Sequence, residues 1–318
     1  MISFIIIGRN EDWRLEKCLK SVKTIVQKEL SVPSEILYID SQSTDESVKL
    51  AKMYADRTFL ITGVCNAAIG RNIGAKEAKG DILFFLDGDM ELREGVIKSI
   101  MSDDGHLVYP FISGIEYDYL YDKDWNIKGE RTRRKYTPGR NAYEITTGGL
   151  FIIEKKLWDE VGGIDNRFLY CEDMDFGIRV SAKGHPLMRM GQLWVNHYTR
   201  FYAVRNNELS TCKYSALLLR KHFFELKVLL KVFKNNYSAY FLALCLIFML
   251  CIHHPLGLWC LIPYLMIICY RGVKAKKRTS VKLGLMKTLG IKMAKDFIFI
   301  YSFFTFFPVN PQMSYRMV

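Results

Sequence analysis

Short apolar runs alternate with amphipathic stretches through the first hundred residues, the pattern of β-α-β units and a mostly parallel sheet. Residues 4–7 (FIII) read as a first buried strand. Leu15, Leu19, Val22 and Val26 follow at spacings of four, three and four, which places them on one face of a helix. Residues 35–39 form a second predicted strand, and in SQSTDES either Ser43 or Thr44 can cap a helix running through about Tyr54. Residues 58–61 read as a third strand and 66–78 as a helix stopped at Lys79-Gly80. The apolar run 82–86 is a fourth strand, ending in DGDM. From about 106 to 145 the pattern turns irregular and rich in Tyr, Asp and Arg, with Pro138-Gly139 marking a turn, so a loop-rich insertion is expected there. TTGGLFIIEKKLWDEVGGID predicts a Gly-Gly turn, a strand at 150–153 and a short helix. A helix from CEDMDF to Lys183-Gly184 and a strand around 193–196 close this half.

Beyond residue 205 the periodicity changes. LLLRKHFFELKVLLKVFK is amphipathic and suits a membrane interface. The stretch 238–270 carries two continuous apolar runs, YFLALCLIFMLCI and PLGLWCLIPYLMIICY, interrupted at His253-His254-Pro255. A single span needs about 20 residues, so this stretch is too long for one and short for two. Arg220, Lys221, Lys227, Lys231 and Lys234 precede it, and Arg271, Lys274, Lys276, Lys277 and Arg278 follow it. Basic residues at both ends favour the cytoplasmic side for both, hence a hairpin turning at 253–255, either spanning twice or re-entrant. A further apolar helix is expected at about 293–308. The expected organisation is therefore an α/β catalytic domain over 1–205 and a helical, membrane-associated region over 206–318. The alternative for the second is a soluble helical domain with an apolar core.

Composition sharpens this. With 318 residues, 50% hydrophobic and 25% charged, the chain is neither disordered nor collagen-like nor a polytopic transporter. The net charge of +12 suggests a polyanionic partner, but its distribution decides which. Residues 1–200 carry 28 basic and 30 acidic side chains; the remainder carries 17 basic residues against Glu208, Glu225 and Asp296 alone. The excess lies beside the apolar runs, which points to membrane lipid and away from nucleic acid. The eight cysteines include no C-x-x-C pair and no Cys/His cluster at zinc spacing, and half fall inside apolar runs, so neither a disulfide framework nor structural zinc is indicated. The cysteines inside the apolar runs lead us to expect a reducing, cytosolic setting, and MISFIIIGRN, with no basic n-region, is not expected to be a signal peptide.

The acidic residues carry the candidate chemistry. Asp87 and Asp89 stand two apart after a buried strand, where the carboxyl ends of strands in open α/β sheets gather ligands. Two carboxylates there can hold Mg²⁺ or Mn²⁺, although Asp-Gly is also an ordinary turn dipeptide. Asp40 ends the second strand as Asp87 ends the fourth; it could accept hydrogen bonds from a base or ribose, or close an Asx-turn. Arg71, near the start of the helix leading into the fourth strand, could face phosphate or base, or lie on the surface. Glu172, Asp173 and Asp175 share the first turn of a helix, where the dipole favours acids in any case; one could serve as general base on an acceptor hydroxyl. His197, after a predicted strand, could be a metal or phosphate ligand or a structural histidine.

In this order and spacing, SFIIIGRNEDWRLEKCLKSV, EILYIDSQSTDES, GRNIGAKEAKGDILFFLDGDMEL and TTGGLFIIEKKLWDEVGGIDNRFLYCEDMDFGIRVSAKGH resemble family 2 glycosyltransferases of the GT-A fold, over residues 1 to about 200. The resemblance implies a Rossmann-like, mostly parallel mixed sheet and a nucleotide-sugar donor, a UDP-sugar being expected. It implies that Asp40 contacts the base, that Asp87 and Asp89 are the D-x-D metal motif with His197 completing the metal site, and that Arg71 and Arg9 contact the nucleotide. It places the catalytic base in the pair Glu172-Asp173, most often the Asp. One displacement would invert the anomeric carbon. Processive members carry Q-x-x-R-W after the Glu-Asp pair; its absence implies a single-addition enzyme. The apolar tail resembles the membrane-attached branch that builds surface polysaccharides, which implies a saccharide or polyprenyl-linked acceptor and a catalytic domain on the cytoplasmic side of the cell membrane. Two alternatives stand: a catalytically silent GT-A domain acting as a membrane scaffold, and a D-x-D phosphotransferase. The latter puts its motif after the first strand, and here that strand ends in Gly8-Arg9-Asn10.

Overall fold

The computed structural model describes residues 1–102, 104–133, 138–200, 208–252, 255–278 and 284–318, in two compact units. The first comprises residues 1–201 together with 310–318; the second comprises 202–309.

In the first unit the chain runs β1 (Ile2–Gly8), α1 (Trp13–Glu29), β2 (Ser34–Asp40), α2 (Ser47–Tyr54), β3 (Arg57–Ile61), α3 (Ala67–Glu77), β4 (Ile82–Asp87), β5 (Met90–Leu92) and α4 (Val96–Ile100). It continues through β6 (Phe111–Tyr121), β7 (Ile127–Thr132), β8 (Ala142–Glu144), β9 (Phe151–Glu154), α5 (Lys155–Val161), α6 (Glu172–Ala182) and β10 (Leu187–Arg200). A final strand, β11 (Tyr315–Met317), follows the helical unit in the chain and belongs to the first unit. The sheet has the order β11-β3-β2-β1-β4-β9-β6-β10-β5, with β7 on β6 and β8 on β10. Strands β1 to β4 pair in parallel, as do β6 and β10, while β9, β5 and β11 run antiparallel to their neighbours.

Alternate residues of the buried strands feed two cores. Phe4, Ile6, Tyr38, Phe84 and Ile152 face the layer of α1, α2 and α4; Ile5, Ile39, Phe85 and Phe151 face the layer of α3, α5 and α6. Both faces are covered, which is why these strands read as unbroken apolar runs. Helix α1 buries Leu15, Cys18, Leu19, Val22 and Ile25, the face its spacing predicted. Helix α3 lies close enough to β1 that a Cβ on Gly74 would come within 2.2 Å of Ile5 Cγ2.

Three expectations change. Neither Ser43 nor Thr44 caps α2, which begins at Ser47; the Ser43 amide donates to Asp40 Oδ2 at 2.7 Å and the Thr44 amide to Asn10 Oδ1 at 2.8 Å. The segment 106–145 is no loop-rich insertion. It supplies the eleven-residue β6, which lies between β9 and β10 in the sheet, the β6–β7 hairpin and β8. Its polar residues Glu116 and Asp118 are buried against other chain segments, which hid the strand's alternation. Finally, residues 310–318, assigned by sequence to the helical region, belong to the α/β unit: β11 pairs with β3.

The second unit contains α7 (Glu208–Lys221), α8 (Leu226–Ile252), a 3-10 helix (Pro255–Cys260), α9 (Leu261–Arg278) and α10 (Leu285–Thr305). Helices α8 and α9 form the two arms of the expected hairpin around Leu242, Tyr264 and Ile268; the turn residues His253 and His254 lie outside the described residues. The amphipathic stretch is not one helix, since α7 ends at Lys221 and α8 starts at Leu226. Within α8, Asn236 leaves helical geometry and its amide donates to the Val232 carbonyl at 3.0 Å, a side-chain bond that competes with the backbone ladder. Leu226–Cys251 is long and apolar enough to cross a membrane, and only 28% of its most apolar window is buried.

Candidate active site

Parallel pairing aligns the ends of three strands. Gly8 sits opposite Asp40 on β2, and Ile7 opposite Asp87 on β4, so the first and fourth strand ends open on one crevice at the carboxyl edge of the sheet. A cleft of about 290 Å³ lies there, lined among others by Gly8, Arg9, Ser41, Asn66, Asp87 and Asp89.

On one side of this crevice Arg71 is 3% exposed and gathers two acids: Nη2 lies 2.7 Å from Asp87 Oδ1 and Nη1 lies 3.6 Å from Glu172 Oε1. The turn before β9 closes against both. A Cβ on Gly149 would fall 1.9 Å from Asp87 Oδ2, so only glycine admits the carboxylate. Gly148, with φ 73°, donates its amide to Asp173 Oδ2 at 3.1 Å, and the Met174 amide donates to Asp173 Oδ1 at 2.8 Å. Burial, then the neighbouring charge of Asp173, pushes Glu172 up to about 7 against the pull of Arg71.

On the other side, the pairing of β5 with β10 sets Met90 opposite His197 and brings Asp89 Oδ2 to 3.3 Å from His197 Nε2. The opposite ring nitrogen, Nδ1, lies 2.8 Å from Asp118 Oδ1. Burial opposes a charged imidazole, but the Asp89 charge and the bonds to Asp118 and Asp89 outweigh it and hold His197 up at about 10. Asp118 is fully buried; Arg131 Nε lies 3.3 Å from its Oδ2, while Arg133 pairs with the neighbouring Glu116. Glu116, Asp118 and His197 form a cluster with metal-ligand atoms, yet the two arginines already balance its carboxylates. Asp89 is different. Its Oδ1 is buried with no hydrogen-bond partner, and Oδ2 shares the same spot with His197 Nε2. An oxygen-rich set with one imidazole and an unanswered buried carboxylate oxygen fits a divalent cation.

The structure thus brings Arg71, Asp87, Glu172 and Asp173 together, joins Asp89 to His197, and leaves Arg9 exposed on the cleft wall. Asp40 stands apart: it is fully buried, bonded to Tyr38 Oη at 3.2 Å and to the Ser43 amide, and it closes the turn that presents Ser41. Sequence reasoning missed four residues. Asp118 and Glu116 back His197. Glu11 lines the cleft and is pushed up to about 8, by burial first and then by Asp89. Arg14 lies 2.7 Å from Glu11 Oε2 and 3.6 Å from Asp89 Oδ2, with Trp125 stacked 4.4 Å beyond. The signal for Glu11 was present: GRNED places acids just past a strand end, as at Asp40 and Asp87.

A sheet with acids at its carboxyl edge, a D-x-D turn and a Glu-Asp helix start is the arrangement that the resemblance to GT-A glycosyltransferases implied. The chain carries a domain of glycosyl transferase family 2, whose family model matches residues 3–158. Polypeptide N-acetylgalactosaminyltransferase 12 of Mus musculus is 24% identical over 247 residues, covering 64% of this chain and 42% of that protein. The 4,4'-diaponeurosporenoate glycosyltransferase of Staphylococcus haemolyticus is 30% identical over 128 residues, 38% of this chain and 33% of that one. Among solved structures, GalNAc-T7 with UDP, GalNAc and Mn²⁺ superposes with a TM-score of 0.54 at 19% identity, covering 69% of this chain and 47% of that chain. S. aureus TarS gives 0.51 at 14% identity, over 74% and 45%. The chain spans less than half the length of each of these proteins.

Proposed function

We propose that the protein is an inverting, metal-dependent glycosyltransferase. It moves a sugar from a nucleotide-diphosphate sugar, with UDP as the nucleotide, to a hydroxyl of a saccharide or polyprenyl-linked acceptor, in the synthesis of a surface polysaccharide or glycolipid. The observation that carries this reading is that Asp87 and Asp89 line one crevice, with Arg71 between Asp87 and Glu172 and with His197 beside Asp89. Asp89 and His197, with Asp87 beside them, would hold Mg²⁺ or Mn²⁺. A cation there supplies positive charge against the departing diphosphate. Asp173 takes the proton from the acceptor hydroxyl, whose oxygen bonds to the anomeric carbon as the bond to the diphosphate breaks. Arg71 keeps Glu172 and Asp87 apart from that proton transfer and balances their charge. Arg9, exposed on the cleft wall, is positioned for the nucleotide. Asp118 holds the imidazole of His197 so that Nε2 faces Asp89.

Purified protein incubated with a panel of nucleotide sugars and Mn²⁺ tests the reading. Release of the nucleoside diphosphate from one donor, lost in Asp89→Ala, supports it; no release with any donor favours the silent scaffold. Asp118→Asn should weaken Mn²⁺ binding about 10- to 100-fold in a direct titration, the usual cost of losing a ligand's outer partner. Unchanged affinity would remove His197 from the cation site.

We place the protein at a membrane, with the catalytic domain on the cytoplasmic side as the basic residues flanking 238–270 imply, and the exposed apolar surface of the helical unit supports the membrane part of this reading. Leu244, Ile247 and Leu250 of α8 and Trp259 beyond it are each more than half exposed, an apolar surface that water penalises and lipid does not. Washing membranes at alkaline pH should leave the protein in the pellet. Release by salt or alkali would reduce the association to a surface contact.

A further inference from the structure

Residues 310–318 rejoin the α/β unit only after the whole helical region, and they do more than cover the edge of β3. The Thr62 amide donates to the Ser314 carbonyl at 2.8 Å, and the two hydroxyls meet at 2.6 Å. Gly63 follows so closely that a Cβ there would stand 3.2 Å from Ser314 Cβ, and its carbonyl accepts Gln42 Nε2 at 2.9 Å. From this pinned point the chain enters the cleft wall, where Cys65, Asn66 and Ala67 line the same crevice as Arg9 and Ser41. The other end of that wall is tied through Asn166: its carbonyl accepts Asn66 Nδ2 at 2.9 Å, and its own Nδ2 donates to the Pro311 carbonyl at 3.4 Å. Tyr315 anchors the segment itself, with its hydroxyl on Glu77 Oε1 at 2.7 Å and its ring against Phe59.

A loop held by few bonds opens cheaply, and every conformation it samples away from the binding geometry lowers apparent affinity. We propose that residues 310–318 are a strap that holds the 62–67 wall in place for the nucleotide of the donor, with Ser314 as its positioning residue. The proposal rests on the nucleotide-sugar reading above. The strap touches no part of the acid cluster that would do the chemistry, so its loss acts on donor binding and leaves turnover intact.

Isothermal titration of the full chain with UDP, beside GDP and dTDP, in Mn²⁺ tests this. Ser314→Ala and Thr62→Val should each weaken binding of the preferred nucleotide about fivefold, and the double variant no further, because both remove one shared bond. The donor KM rises with the dissociation constant while kcat at saturating donor holds. Deleting 310–318 weakens binding more than either substitution, and the peptide NPQMSYRMV added in trans restores it. Should the deletion fail to fold, the two substitutions still decide the matter. Variants that bind nucleotide like the parent and lose only thermal stability would overturn the strap alone. A parent protein that binds none of the three nucleotides would overturn the donor reading and the strap with it.

Discussion

Asp89→Ala should abolish Mn²⁺ binding in a direct titration and lower transfer about a thousandfold, with circular dichroism and thermal midpoint close to the parent's. The magnitude follows from the several kcal/mol that a bound cation contributes to a developing diphosphate charge. The fold should tolerate the change because Asp89 Oδ1 makes no hydrogen bond and because His197 keeps its bond to Asp118. Asp89→Asn is the sharper control. It preserves shape, removes the charge and should lose the cation almost as completely. A parent-like cation affinity in either variant would sink the assignment of Asp89.

Asp173→Asn should reduce kcat by about 10²- to 10⁴-fold while nucleotide binding stays within a small factor of the parent, the range expected for loss of a general base. Its two oxygens accept the amides of Met174, the next residue, and of Gly148 in the turn before β9, so the amide variant keeps one acceptor in place. Glu172→Gln is the necessary comparison. Glu172, pushed up to about 7 by burial and then by Asp173, faces Arg71 at 3.6 Å, so its loss should act mainly through Arg71 and Asp87 and cost less in kcat. A larger kcat loss in Glu172→Gln than in Asp173→Asn would reverse the two roles, and a pH profile of kcat would then show its acidic limb in the parent near 7.

Much of this arrangement was legible in the chain. The strands at the start of each β-α unit are runs such as ILFFL, apolar up to the closing Asp87 because helices cover both faces, and helix α1 shows its buried face at Leu15, Leu19 and Val22. The acids at Asp87, Asp89, Glu172 and Asp173 stand where such strands and helices begin or end. Asp40 was legible as a strand-ending acid, yet its carboxylate is spent inside its own turn, which no spacing reveals. Strand β6 was invisible for a related reason. Glu116 and Asp118 occupy buried positions, and what makes charge tolerable there is Arg131, Arg133 and His197, brought in by β7 and β10.

Periodicity is a local property: it records which residues of one segment face a core, so the β-α units of the first hundred residues, the carboxyl-edge acids and the apolar, basic character of the C-terminal region could be read from the chain, while β6 to β8 and β11 could not. Pairing across the sheet is not local. The placing of β10 between β6 and β5, where His197 meets both Asp118 and Asp89, and the return of residues 310–318 to the edge of β3 emerge only in the folded chain. Those pairings depend on register between segments up to more than two hundred residues apart, fixed by complementary buried surfaces and backbone hydrogen bonds that no single segment carries.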